Sequence, residues 1–333
     1  MDIKEILFKL SDAVSIGNIT DASQIAFEEL SKYAKTLQNG INVIGEIKGE
    51  SDYTLMLEAH IDEVGFVVTD IDEDGFLTVK NCGGIDLRAL PSRTVVIHGK
   101  EKVTGVFCAT PPHLGGVKEY DDISVLKIDT LLGEKAKDII AVGDLVTFNQ
   151  KAVDLRGSRV TGKSLDNRAG VACLLLLAEK LSDKKLPFNV VFAFTDAEEL
   201  GCRGAKTAAF SISPDEAIVL DVSFADAPDV PNNDCGKLSG GAMIGMSPIL
   251  DKGISKTLIS IAKENNMPYQ TEVMGGRTGT NSDVISISKS GVKTGLVSIP
   301  LRNMHTDVEI IDIKDIESVC DLLFKYILKG GNA

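Results

Sequence analysis

Tryptophan is absent from this 333-residue chain, tyrosine occurs five times, and aromatic residues make up only 5% of it. A polysaccharide groove lined with aromatic platforms would have little to draw on. Long apolar runs are missing too. The longest, Val171 to Ala178, falls far short of the ~20 residues that cross a bilayer. Positive charge is in deficit, with 35 basic against 48 acidic residues and a formal charge of −13. Such a surface suits neither nucleic acid nor an anionic membrane, and we expect no partner of either kind. The six cysteines form no CxxC pair, and the opening segment MDIKEILFKLSDAV carries Lys and Glu where a signal peptide needs an apolar stretch. Reduced thiols and a cytoplasmic location are therefore expected. Histidine is scarce, at His60, His98, His113 and His305. Any metal site must lean on carboxylates.

What is present is an ordinary globular composition, 44% apolar and 25% charged, with a length that suggests two domains at ~150 residues each. Ile3, Ile6, Leu7, Leu10 and Val14 share one face of an N-terminal amphipathic helix. Thr20 or Asp21 can cap a second helix carrying Ile25, Ala26, Leu30, Tyr33 and Leu37. Strands INVIGEIKG and YTLMLEAH follow. From residue 64 the rhythm becomes short strands without helical period, including a hairpin signature, VGFVVTDI and FLTVK around an Asp-Gly turn. After residue 163, helices and strands alternate again, with SDVISISKSG read as a helix and IKDIESVCDLLFKYIL as the last one. This pattern predicts an α/β fold in which a mixed sheet is sandwiched between helices. Residues 1–63 and 164–333 would form the α/β/α core, and 64–163 an inserted all-β unit.

Catalytic groups in such sheets gather where strands end, and five places there carry usable chemistry. TLMLEA runs into His60, with Asp62 two residues on. An extended chain points both side chains the same way, so Asp62 can orient the imidazole. Asp166 lies in KSLDNRAG at the mouth of an apolar helix, where it can either cap the helix or bridge two cations. Glu198 and Glu199 follow the strand FNVVFAFT, and as a pair could divide metal binding from proton transfer. Asp221 sits near the end of the apolar strand AIVLDVS, where a lone acid needs a partner. His305 follows the strand TGLVSIP. Singly, each has a bland reading as a surface acid, a cap or a structural histidine. Together, two imidazoles and three carboxylates suit two divalent ions such as Zn²⁺, Co²⁺ or Mn²⁺.

AHIDEVG, KSLDNRAG, AEELGCRGA, VLDVS and IPLRNMH, in this order, closely resemble the tetrahedral and glutamyl aminopeptidases, dinuclear metallopeptidases some of whose members were once labelled endoglucanases. NCGGIDLRALPSRTVVIHG, GVFCATPPH and GGAMIGMSPIL extend the resemblance over almost the whole chain. It implies a phosphorylase/hydrolase-like metallopeptidase core with a PDZ-like or β-barrel insert that mediates subunit contacts and substrate access. It implies that His60, Asp166 and Asp221 hold one metal, and Asp166, Glu199 and His305 the other. Glu198 would be the general base for a metal-bridged hydroxide, and Asp62 would support His60. The substrates would be short peptides that lose their N-terminal residue, and the assembly a homo-oligomer from dimer to tetrahedral dodecamer. Asn303 and Ile85 depart from the family's usual Tyr and Trp, and GGRTGTNSD is a variant segment. Within it, Arg277 could read an acidic N-terminal residue, or be an exposed loop cation. His98 is read as structural, and His113 as having a structural or interface role. Two other functions stay open: an endo-1,4-β-glucanase-type hydrolase using Glu198 and a second carboxylate, and a non-catalytic scaffold.

Overall fold

A computed structural model describes residues 1–115, 122–228, 230–231 and 235–331. Its centre is an eight-stranded mixed sheet. Across it run Tyr269–Val273, Ala242–Met246, Lys293–Leu301, Glu216–Phe224, Thr54–His60, Asn189–Thr195, Asn42–Ile47 and Lys35–Asn39. The middle four strands are mutually parallel; Ala242–Met246 and Asn42–Ile47 flank them antiparallel, Tyr269–Val273 pairs parallel with the first of these and Lys35–Asn39 antiparallel with the second. Parallel strands are buried on both faces, which explains their near-continuous apolar runs.

Alternation along these strands sorts the core into two layers. Leu55, Leu57, Ile218, Leu220, Val190 and Phe192 meet the large layer of helices, Ile3–Asp12, Asp21–Leu30, Leu165–Leu181, Lys252–Glu264 and Ile313–Leu328. Met56, Ala217, Val219, Val191 and Ala193 face the opposite side, under the shorter helices Arg203–Ile212 and Ser282–Ile285. The same two-residue period puts Glu58, His60 and Asp221 on this thinner side. Covered by less structure, that face leaves room for a cavity.

A closed barrel of six antiparallel-paired strands lies between residues 65 and 148, in the order Ile128–Asp129, Leu77–Cys82, Gly65–Ile71, Leu145–Phe148, Thr94–His98 and Lys102–Phe107. Phe66 is its hub, packing edge-on against Phe107 and Phe148 at centroid distances of 5.1 and 5.6 Å. The hairpin turn forms at Gly75, φ +85°, where a Cβ would strike the Gly133 carbonyl. Val153–Asp154 and Arg159–Gly162 do not join the barrel. They form a separate small sheet with Glu309–Asp312.

Three local expectations are corrected. The second helix ends at Leu30 instead of continuing through Leu37, because Ser31 returns its hydroxyl to the Phe27 carbonyl and Lys35–Asn39 pairs as an edge strand. Leu37 is half exposed there. SDVISISKSG is helical only over Ser282–Ile285: Ser286 bonds back to Asp283, and Lys289 and Gly291 turn left-handed. Asp166 does not cap its helix. The backbone at Asp166 and Asn167 is non-helical, Asn167 Oδ1 accepts the Gly170 amide, and the Asp166 carboxylate turns to the two histidines.

A buried ion network pins the junction between core and barrel. Lys163 Nζ lies 2.6 Å from Glu63 Oε2 and Arg168 Nη2 3.6 Å from Oε1. The Ser164 hydroxyl and the Ser15 amide also donate to this carboxylate. Burial alone would raise the Glu63 pKa, but Lys163 and Arg168 outweigh it and hold the group below the ordinary range. Glu63→Ala strands two fully buried cations, so unfolding in guanidinium should show a loss of ~3–5 kcal/mol. Glu63→Gln should lose less, and a change below ~1 kcal/mol for the alanine variant would show that the network is dispensable.

Candidate active site

The C-terminal ends of the parallel strands converge on a cavity of about 530 Å³. His60 ends its strand there, Asp221 comes from the neighbouring one, and Glu198 and Glu199 follow Asn189–Thr195. Asp166 arrives at the start of the long helix, and His305 in the turn after Lys293–Leu301. Six of the seven residues singled out from the sequence line this cavity: His60, Asp166, Glu198, Glu199, Asp221 and His305. Asp62 is buried directly behind them.

Asp166 is the centre of the group. Its Oδ1 lies 3.0 Å from His60 Nε2, and its Oδ2 lies 3.3 Å from His305 Nε2. Asp221 Oδ1 is 3.7 Å from His60 Nε2, and Glu199 Oε1 is 3.1 Å from His305 Nε2. Two triads follow, each with ligand atoms mutually within 4.8 Å: His60, Asp166 and Asp221, and then Asp166, Glu199 and His305. A third close set joins His60 to Glu198 and Glu199.

Electrostatics show what this donor set wants. Burial disfavours a charged imidazole, yet hydrogen bonds to Asp166 and Glu199 lift His305 to about 11. His60 is likewise raised well above its usual value, with burial opposing and Asp166 and Asp62 prevailing. Asp221 is driven up by burial, with Asp166 adding repulsion. Without a cation, the cluster holds protons where positive charge is needed. Divalent ions meet that demand and displace the protons, so the residues present fit a metal centre.

Glu198 stands apart. It accepts no imidazole hydrogen bond, and the thiol of Cys202 sits 3.7 Å from its Oε1. Burial, with Glu199 and Asp166 adding repulsion, pushes its pKa up to about 7, His60 pulling the other way. Asp62 organises this corner. Its two oxygens accept the backbone N–H groups of Glu198 and Glu199 at 2.9 and 3.1 Å. His60 Nδ1 is 3.4 Å from the same carboxylate, off the line of a full hydrogen bond.

Sequence reading missed Glu309. This buried acid accepts the Asp166 amide through Oε2 at 3.0 Å and the His305 amide through Oε1 at 2.8 Å. One carboxylate thus fixes the backbone of residues from both triads. The signal available was an acid at the head of the apolar strand EIID, four residues past His305. Several site neighbours, Ser164, Ala197, Cys202 and Asn303, and His305 itself, adopt left-handed backbone conformations, as residues held tightly around functional groups do. The barrel also reaches in. Gly83 sits at φ +88°, and a Cβ there would lie 2.8 Å from Val64 Cγ1 and 3.1 Å from Glu199 Oε2, so glycine lets this loop pass close beside the site.

The remaining histidines lie elsewhere. His98 bonds Thr147 inside the barrel wall, and His113 is exposed. Ile85 packs on the barrel core, and Asn303 spans a turn to the Val308 carbonyl. Thr278, Gly279 and Thr280 of the variant segment line the cavity, whereas Arg277 is exposed outside the lining.

A profile of the M42 glutamyl aminopeptidases matches residues 41–322. The chain belongs to this M42 family. A putative aminopeptidase of Acetivibrio thermocellus is 32% identical over 98% of both chains. The lysyl aminopeptidase of Pyrococcus furiosus is 30% identical over 84% of this chain and 83% of its own. Among solved structures, an aminopeptidase of Desulfurococcus kamchatkensis superposes with a TM-score of 0.92 at 31% identity, covering 98% of this chain and 95% of that one. The TET1 peptidase of Pyrococcus horikoshii, which can assemble into a tetrahedron or a large octahedral shell, gives 0.85 at 29% identity, over 98% and 100%. A Thermotoga maritima structure described as an endoglucanase gives 0.78 at 27% identity, over 98% and 97%. The resemblance read from the motifs is thereby borne out. This M42 enzyme is a metal-dependent aminopeptidase, a hydrolase that removes N-terminal residues from peptides.

Proposed function

We propose that the cavity is a two-metal aminopeptidase centre in which His60, Asp166 and Asp221 hold one ion and Asp166, Glu199 and His305 the other. The observation that carries this reading is Asp166, whose two oxygens are divided between the two imidazoles. Zn²⁺, Co²⁺ or Mn²⁺ suits this mixture of carboxylate and imidazole. Such ions would supply Lewis acidity, polarising a scissile carbonyl and lowering the pKa of water at the site.

The chain's own residues do the rest. Glu198, unpaired with any imidazole, takes the proton of the attacking water on a carboxylate oxygen and later delivers it to the leaving amine. Asp62 sets the backbone of Glu198 and Glu199 and backs His60, making it a positioning residue. Glu309 does the same for Asp166 and His305. The negative cluster attracts a free substrate α-ammonium, which favours cleavage at the chain end.

The glucanase reading has no support in the cavity. Among the described residues, Phe224 is the one Phe, Tyr or Trp ring in its wall. The full set of acids and histidines also argues against a silent scaffold. We further propose a homo-oligomer of short-peptide-cleaving subunits, since the Pyrococcus horikoshii relative assembles into shells. A cytoplasmic setting agrees with the six unpaired cysteines, and among the described residues no helix is long and apolar enough to cross a membrane.

Chelation tests the reading. Treatment with a strong chelator should remove about two ions per chain by elemental analysis and abolish hydrolysis of aminoacyl-p-nitroanilides. Zn²⁺ or Co²⁺ should restore activity, and soluble β-glucan should remain untouched throughout. Full peptidase activity in metal-stripped protein, or glucan cleavage in its place, would overturn it.

A further inference from the structure

Beyond the metal cluster, one strongly polar group faces the cavity. Glu272, on the strand Tyr269–Val273, lines its wall. Its carboxylate accepts the Ser223 hydroxyl through one oxygen and the Ser298 hydroxyl, at 2.9 Å, through the other. Two hydroxyl donors leave about half of a carboxylate's lone-pair sites free.

The position of this carboxylate follows from strand register. Ser298 is the direct cross-strand partner of Asp221, and Ser223 lies two residues beyond Asp221 on the same strand. All three therefore face the same side of the sheet. Two residues along a strand span roughly 6.6 Å, comparable to the reach of a four-carbon ammonium side chain. The cavity wall also carries the aliphatic and thioether groups of Met243, Met274 and Leu296. Among the described residues, no lysine or arginine lines the cavity.

We propose that Glu272 makes this pocket select peptides whose N-terminal residue is basic, lysine or arginine. The inference rests on the aminopeptidase reading of the same site. The apolar wall covers the methylene stem, as long cationic side chains require. The side-chain ammonium or guanidinium meets the free lone pairs of Glu272. An acidic N-terminal residue would meet only like charge, because Arg277 stands outside the lining. Burial raises the Glu272 pKa and the two serine hydroxyls oppose that rise. A cation beside it shifts the balance to the carboxylate.

The test compares kcat/KM for lysyl-, arginyl-, leucyl- and glutamyl-p-nitroanilide on metal-loaded protein. The basic substrates should exceed the glutamyl one by at least about 100-fold. In Glu272→Gln, whose amide still accepts one serine hydrogen bond, the Lys:Leu ratio should fall roughly 10- to 100-fold, the discrimination of a charge-assisted hydrogen bond. A purely structural Glu272 would lower all substrates together and leave the ratio alone. Should the variant fail to fold, lysinamide and leucinamide as competitive inhibitors of the wild-type enzyme give the same comparison, and lysinamide should bind more tightly. A best rate on the glutamyl substrate, an unchanged ratio in the variant, or weaker binding of lysinamide would each overturn the inference while leaving the aminopeptidase intact. Failure on every aminoacyl substrate would overturn the aminopeptidase reading and this inference with it.

Discussion

Glu198→Gln should retain its metal yet turn over aminoacyl-p-nitroanilides about 10²- to 10⁴-fold more slowly, the usual contribution of a positioned general base. The substitution removes one property, the ability to accept a proton, and keeps the shape. The backbone N–H that anchors Glu198 to Asp62 is untouched, as is the neighbouring Glu199 amide. Neither triad around Asp166 includes Glu198, although its carboxylate lies close enough to join His60 and Glu199 in the third grouping. Metal content by elemental analysis should therefore match wild type. Proton transfer is needed only in the transition state, so kcat should fall with little change in KM. Wild-type turnover with full metal occupancy would move the base elsewhere. Loss of metal together with turnover would instead assign Glu198 as a ligand through that third grouping.

The core was legible in the sequence because its signals are local and periodic. Leu55, Leu57 and Met56 alternate as a strand buried on both faces must, and the Asp-Gly turn set the first barrel hairpin. Helix ends were less legible. Leu37 continues a helical spacing but belongs to an edge strand, because pairing with Ile44 outweighs propensity. Asp166 shows the same limit at the site. A cap needs only local geometry, whereas bridging two histidines 106 and 139 residues away depends on the tertiary fold.

The site residues at strand ends could be named because α/β sheets gather chemistry there. Of those that hold them in place, Asp62 could be named from its spacing to His60, but Glu309 could not. Glu309 bonds two backbone amides, and although His305 is four residues away, nothing in the sequence announces the Asp166 amide 143 residues off. Glu272 is hidden for a related reason. It lies in a segment of ordinary strand character, and its meaning comes from Ser223 and Ser298 on two other strands. Asp166, Glu199 and Asp221 sit next to recognisable glycine and apolar patterns; Glu309 and Glu272 stand out only by what they touch.

Asp166→Ala should disable the centre more completely than any other single change. Every other proposed ligand serves one ion, while Asp166 serves both, one oxygen toward each imidazole. Its loss breaks two triads at once. Removing even an outer-shell partner of a metal typically costs 10–100-fold in affinity, so losing a shared ligand should cost at least that for each ion. After dialysis, metal content should fall well below wild type, and turnover should fall with it. Stability supplies a readout independent of activity. Ions that bind only the folded chain stabilise it by ~2.7 kcal/mol at 100 times their dissociation constant. Wild-type melting temperature should therefore rise on adding Zn²⁺ or Co²⁺, and the variant should lose most of that rise. Asp166→Asn keeps the shape and the Glu309-bound amide, so it separates lost ligation from lost folding. Its melting temperature without metal should stay near wild type, and its metal-induced rise should still be small. Two ions per chain and an undiminished rise in either variant would show that the triads are not joined through Asp166.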